Sequence, residues 1–128
     1  MNSTNIILLS GIVVLVVGYG VYRLLRKKKV VYTKLKTIDY DYILGWVKSQ
    51  REKLDDGSSL NIAPYSVSIN MLKESGVKDL PKSNLISLIL LDKNKQLIDS
   101  SFIIYEKMSD SLNDLLPKDR IYTQMIKV

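Results

Sequence analysis

The chain has 128 residues, no cysteine, no histidine and a formal net charge of +6. It therefore has no disulfide, thiol nucleophile or zinc-finger site, and it lacks histidine, the commonest general base and metal ligand. Seven of the 19 basic residues lie between Arg23 and Lys36, a stretch without acidic residues, which leaves 12 basic and 13 acidic side chains for the rest of the chain. Because the positive excess belongs to one short segment, it is weak evidence for nucleic-acid binding.

Residues 1–25 are predicted to form a transmembrane anchor. Positions 6–25 contain 13 Ile, Leu or Val residues and a single charged residue, Arg23. As a helix, this stretch spans roughly 30 Å, which matches the hydrocarbon thickness of a bilayer. Small side chains let a second helix approach closely, so three residues are candidates for helix packing: Ser10, Gly11 and Gly18.

Residues 26–36 are predicted to form a basic neck beside the membrane. Basic residues flank only the C-terminal end of the apolar stretch, which predicts an N-terminus outside and a cytosolic remainder. A cleaved signal peptide is the alternative, but the uncharged start MNSTN and the basic residues after the apolar run argue against it. Candidates for contact with the membrane interface and anionic lipid are Tyr19, Tyr22, Arg23, Arg26, Lys27, Lys28 and Lys29.

Residues 37–128 have the size of one small domain, which we expect to be cytosolic. The alternation that begins at Val30 predicts a strand or an extended tether, and the helical pattern that follows runs to about Leu54, with Asp39 as its N-cap. The predicted core face of this helix comprises Tyr40, Ile43, Leu44, Val47 and Leu54.

Tyr42 and Trp46 lie to one side of that core face. They are neighbours at i and i+4, and small residues flank them. Large aromatic side chains are frequent anchors at protein interfaces, so this pair is the candidate partner-binding site. Burial at the flank of the core is the alternative interpretation.

The segment after this helix gives mixed signals. Residues 55–59, DDGSS, are typical of a loop. Between Leu60 and Leu72 the alternation predicts a strand to about Ile69, followed by a helical turn from Asn70 to Ser75. Pro64 is compatible with a helix start instead, and Gly76 with a glycine C-cap.

The remaining elements are a hairpin, a short helix and a final strand. Leu85–Leu91 and Gln96–Tyr105 form the two arms of the hairpin, and the apolar first arm is expected at the centre of the sheet. Ser109 or Asp110 caps a two-turn helix whose inward residues are Leu112, Leu115 and Leu116. Residues 120–128 are predicted to form the last strand.

No sequence motif for catalysis is present. The six glycines are scattered, there is no P-loop or GxSxG, and the usual triads require histidine or cysteine. We predict no enzyme activity, cofactor or metal site. A carboxylate- or metal-dependent enzyme that uses Asp55 and Asp56 is an alternative hypothesis.

The sequence therefore predicts an α+β protein with an N-terminal transmembrane helix and a small antiparallel sheet of four or five strands. One long and one short helix are expected on a single face of this sheet. The predicted function is a single-pass, membrane-anchored binding or scaffold module, a non-catalytic subunit or recruiter for a membrane-associated complex. A sensor of anionic lipid that acts through the basic neck is the alternative, and nucleic acid is not an expected partner.

Overall fold

A computed structural model describes residues 30–127, which form an α+β domain with a five-stranded sheet and three α-helices. The strands are β1 (Tyr32–Ile38), β2 (Ser59–Ala63), β3 (Leu85–Leu91), β4 (Leu97–Met108) and β5 (Tyr122–Met125). The helices are α1 (Tyr40–Ser49), α2 (Tyr65–Glu74) and α3 (Asp110–Leu115), with a 3₁₀ turn at Arg51–Lys53.

The sheet is mixed, which corrects the expected antiparallel arrangement. Its strand order is β1-β4-β3-β2-β5, and β1 runs parallel to β4 while the other neighbouring pairs are antiparallel. Sequence reasoning pairs strands that follow one another, whereas β1 pairs with a strand about 70 residues further along the chain. No local pattern reports such a pairing.

The predicted hairpin is confirmed, and its first arm is the central strand of the sheet. All seven residues of β3 are buried, because helices cover both faces of the sheet there. In the turn, the Asp92 carboxylate accepts hydrogen bonds from the amides of Asn94 and Gln96 at 2.8 and 2.9 Å. Lys95 takes the left-handed conformation with φ 63°.

Helix α1 starts as predicted and ends earlier than predicted. The Asp39 carboxylate accepts a hydrogen bond from the Tyr42 amide at 2.8 Å, so it caps the helix. The α-helix ends at Ser49, and the 3₁₀ turn carries the chain on to Leu54.

Residues 65–74 are a helix, which corrects the predicted strand to about Ile69. The buried residues Ser68, Ile69, Met71 and Leu72 follow helical spacing, so the alternation of the sequence does not correspond to two faces of a strand. The predicted glycine C-cap is present: Gly76 has φ 85°, its amide donates to the Lys73 carbonyl, and the Val77 amide donates to the Leu72 carbonyl. These two bonds form a Schellman motif.

The three helices pack on both faces of the sheet, not on the single expected face. Helices α1 and α3 contribute Ile43 and Leu112 to the apolar cluster on one face, whereas α2 contributes Ile69, Met71 and Leu72 to the cluster on the other. Leu115 was expected to point inward but is 40% exposed, because the short α3 presents only Leu112 fully to the core.

Candidate protein-binding groove

Most of the residues predicted to contact the membrane lie outside the described residues. This applies to the predicted anchor, residues 1–25, and to these candidates: Ser10, Gly11, Gly18, Tyr19, Tyr22, Arg23, Arg26, Lys27, Lys28 and Lys29. Within residues 30–127, no helix has the length and apolarity needed to cross a membrane. The described part of the neck includes Lys34 and Lys36, which are exposed on β1.

Tyr42 and Trp46 are partly buried and pack against the apolar cluster beneath α1. Gly45 lies between them and is exposed, with no atom within 4 Å of the position of an added Cβ. The two aromatic side chains are therefore seated at the flank of the core. Their role in partner binding stays a prediction.

A groove of about 580 Å³ lies between the C-terminal half of α1 and the end of β5. Most of its lining is apolar, and Leu60 of β2 lies buried among the lining residues. The lining residues are Leu44, Val47, Lys48, Arg51, Leu54, Leu60, Gln124, Met125, Ile126 and Lys127. Its volume lies in the range of roughly 300–1,000 Å³ that is usual for binding pockets.

Hydrogen bonds hold the β5 wall of the groove in place. The Ile126 amide donates to the Ser58 carbonyl at 2.8 Å, and the Gly57 amide donates to the Ile126 carbonyl at 3.4 Å. Gly57 has φ 99°, and a Cβ there would lie 3.1 Å from the Lys93 Cβ, so this turn requires glycine. The groove is thus bounded by a fixed strand end.

A second connection ties α1 directly to β5. The Tyr40 hydroxyl donates to the Gln124 side-chain oxygen at 2.6 Å. At the other end of α1, the Gln50 side chain donates to the Asp99 carboxylate of β4. Polar contacts at both ends therefore fix α1 over the sheet, while the helix buries only Ile43 completely.

The charged residues that line the groove are all basic. Lys48 and Arg51 are three residues apart on the α1 side, and Lys127 follows β5 on the opposite side. All three are exposed, and no carboxylate is among the lining residues. The ion pair found in residues 30–127 joins Asp119 and Arg120, away from these cations. The groove therefore has a local positive charge on a domain with a nearly balanced composition.

Three tyrosines have perturbed acidities. Burial raises the pKa of Tyr105, and burial together with the neighbouring Tyr40 raises the pKa of Tyr122. On the other face of the sheet, burial and the negative charge of Asp79 raise the pKa of Tyr32. These phenols stay neutral at physiological pH, so they add no charge to the groove.

Asp55, one of the two aspartates in the turn after α1, has a structural role. The Ser58 hydroxyl donates to the Asp55 carboxylate at 2.8 Å, and the Asp55 amide donates to the Ser58 hydroxyl oxygen at 3.0 Å. Asp56 is exposed next to this pair. In the described part of the chain, no group of three or more acidic side chains is arranged to hold a metal ion.

A smaller hollow of about 290 Å³ lies between the start of α2 and α3. The Ser66 hydroxyl donates to the Lys118 carbonyl at 3.1 Å and so joins its two walls. Lys118 is its one charged lining residue. It has about half the volume of the groove and less charge with which to select a ligand.

Sequence reasoning missed the groove because its two walls are distant in the chain. Leu44 and Val47 read as ordinary core positions, and Met125 and Ile126 as part of a terminal strand. The one local signal is that Lys48 and Arg51 share a helical side with Val47 and Leu54, which places positive charge next to apolar side chains.

No protein-family model matches the chain, and comparisons with curated proteins and with solved structures likewise give no match.

Proposed function

We propose that this protein is a non-catalytic binding module that holds a protein partner beside a membrane, with the groove between α1 and β5 as its docking site. The observation that carries this proposal is the groove itself, which is open, lined mostly by apolar surface and about 580 Å³ in volume. Apolar grooves of this kind receive one face of a partner segment.

The position of the groove supports a partner close to the membrane. Strand β1 starts at Tyr32, seven residues after the end of the predicted anchor at Leu25, and a connection of that length spans at most about 25 Å when extended. The pairing directions place the starts of β1, β2 and β4 at the same end of the sheet as the ends of β3 and β5. The groove opens at that end, beside the last residues of β5.

Site-specific photo-crosslinking of the full chain in its native membranes tests the proposal. A benzoylphenylalanine residue in place of Leu44 reports on the groove, and the same residue in place of Lys107 is the matched control on an exposed part of β4. We expect a discrete protein adduct from position 44 and none from position 107. The adduct should disappear with Met125→Asp in the groove and persist with Ser111→Asp on α3.

The proposal fails if position 44 gives no adduct above the level of position 107. It also fails if the adduct is the same protein at both positions or is unaffected by Met125→Asp. Fluorescence of Trp46, the only tryptophan, shows whether each variant keeps the folded domain.

A further inference from the structure

We infer that the groove binds an acidic amphipathic helix of a partner protein, one whose apolar stripe is flanked by carboxylates. This inference rests on the proposed function and specifies the chemistry of the partner. It follows from two features of the groove. Its floor is formed by the apolar residues Leu44, Val47, Leu54, Met125 and Ile126, and its two rims have the basic residues Lys48 and Arg51 on one side and Lys127 on the other.

The floor selects for apolar side chains. Leu44, Val47, Leu54, Met125 and Ile126 present hydrocarbon surface from both walls. Burial of apolar surface favours association, and the flexible side chain of methionine adapts to different partner shapes. An occupant without an apolar stripe would leave this surface in water.

The rims select for carboxylates. Outside residues 23–36, acidic residues outnumber basic ones by 13 to 12, yet the groove lining has three basic residues and no acidic one. An acidic partner therefore meets complementary charge here, whereas a basic partner meets repulsion. Such rim charges contribute mainly to selectivity and association rate, because they are exposed.

The two-sided placement of the cations favours an amphipathic helix. Lys48 and Arg51 are on the α1 rim, and Lys127 is on the β5 rim, with the apolar floor between them. A helix that lays its apolar stripe in a groove presents side chains on both sides of the stripe to the two rims. A fatty acid or a single anionic head group would satisfy one rim only.

Fluorescence anisotropy with designed peptides tests the inference. The protein is the full chain in phosphatidylcholine nanodiscs, and the probe is a labelled helical peptide of about 15 residues with a leucine stripe flanked by glutamates. One control peptide has glutamine in place of every glutamate, and another has serine in place of every leucine. We expect the acidic peptide to bind about tenfold or more tightly than either control, and its binding to weaken as salt increases.

Charge-reversal variants locate the interaction. The double variant Lys48→Glu, Arg51→Glu should weaken binding of the acidic peptide about tenfold. The matched control Lys73→Glu, Lys78→Glu makes the same change in net charge at exposed positions in and after α2, and it should leave binding unchanged. Equal weakening by both double variants, or equal binding of the glutamine peptide, overturns the inference.

Two further outcomes separate this inference from the proposed function. If the acidic peptide does not bind the chain with Lys48 and Arg51 intact, while the position-44 crosslink forms and persists in Lys48→Glu, Arg51→Glu, the groove has a partner of other chemistry. The inference then fails and the proposed function stands. If oleate or phosphatidylserine nanodiscs bind at Lys48, Arg51 and Lys127 and the acidic peptide does not bind there, a lipid is the ligand and the inference is overturned. If the chain with Lys48 and Arg51 intact gives neither the position-44 crosslink nor binding of the acidic peptide, both the inference and the proposed function are rejected.

Discussion

Helices α1 and α2 have ten residues each and cover opposite faces of the same sheet, yet they bury different numbers of side chains. Helix α2 buries Ser68, Ile69, Met71 and Leu72, whereas α1 buries only Ile43. Helix α1 is capped at its start by Asp39 and α2 at its end by the Gly76 turn, so each helix has one well-defined end. The two helices differ in how many of their side chains are buried.

The two faces also differ in how they treat polar groups. Beneath α2, the Ser87 hydroxyl donates to the Ser68 hydroxyl at 2.7 Å, and the Ser68 hydroxyl donates to the Ala63 carbonyl at 3.0 Å. The cluster beneath α1 and α3 is composed of apolar residues, and the groove opens at its margin. The α2 face is closed and its buried serines are hydrogen-bonded, while the α1 face leaves apolar surface at the groove.

The largest expected difference in the free energy of unfolding is between two leucine variants, one on each helix. Leu72→Ala on α2 removes a completely buried side chain and should lower the free energy of unfolding by about 2–5 kcal/mol. Leu44→Ala on α1 removes a partly exposed groove residue and should cost about 1 kcal/mol or less. Urea unfolding of the full chain in detergent, followed by Trp46 fluorescence, measures both. Equal losses would show that α1 is as deeply seated as α2.

An intermediate effect is expected from the polar network on the α2 face of the sheet. The Asn61 amide donates to the Ile89 carbonyl at 3.3 Å, and its oxygen accepts from the Thr123 hydroxyl at 2.8 Å. Asn61→Ala removes these bonds, together with those from the amide to the Ser59 hydroxyl and carbonyl, at a completely buried site. It should lower the free energy of unfolding by about 2–3 kcal/mol. Asn70→Ala, at an exposed position of α2, is the matched control and should cost nothing, because alanine favours helices. Similar losses in the two variants would contradict a role for the network.

The smallest effects contrast one tyrosine from each face, and they have opposite signs. Tyr40→Phe removes the hydrogen bond that ties α1 to Gln124 and should lower the free energy of unfolding by about 1 kcal/mol. The Tyr32 hydroxyl, on the α2 face, is buried without a hydrogen-bond partner among the described residues. Tyr32→Phe should therefore raise the free energy of unfolding by up to about 1 kcal/mol. The same denaturation assay measures both changes, and a loss in Tyr32→Phe would contradict this account.

Alkaline pH gives a second readout for Tyr32. Its pKa is raised from 10.0 in the folded domain, so the unfolded chain releases the phenol proton at a lower pH than the folded one. The stabilisation that this provides is complete below pH 10 and is lost as pH rises toward the folded pKa. Tyr32→Phe should reduce the decline in stability above pH 10, whereas Lys73→Gln, at an exposed site, should leave it unchanged.

Local signals predicted those parts of the fold that depend on neighbouring residues. The Asp39 cap, the hairpin around Asp92 and the glycine C-cap at Gly76 are all present, because each is determined within a few residues. The central position of β3 follows from its continuous apolar composition, which only a strand covered on both faces tolerates.

The misassigned parts depend on residues that are distant in sequence. The period of two in residues 65–71 resembles a strand, but packing against β3 selects the helix, which places Ser68 against Ser87. The parallel pairing of β1 with β4, and the groove between α1 and β5, each join segments more than 60 residues apart. Tyr42 and Trp46 are predicted beside the core face as partner-binding residues, with burial at its flank as the alternative. They are partly buried against the core, and the groove residues beside them are aliphatic and basic.

The parallel pairing of β1 has a consequence for the order of folding. Tyr32 is synthesised about 70 residues before its partner Phe102, and closing so long a loop is slow. The hairpin of β3 and β4 is local and closes first, so we expect β1 to stay unpaired until β4 has been synthesised. Its exposed Lys34 and Lys36 oppose pairing with other nascent chains during that interval. Among the strands of residues 30–127, the first to be synthesised is then among the last to join the sheet.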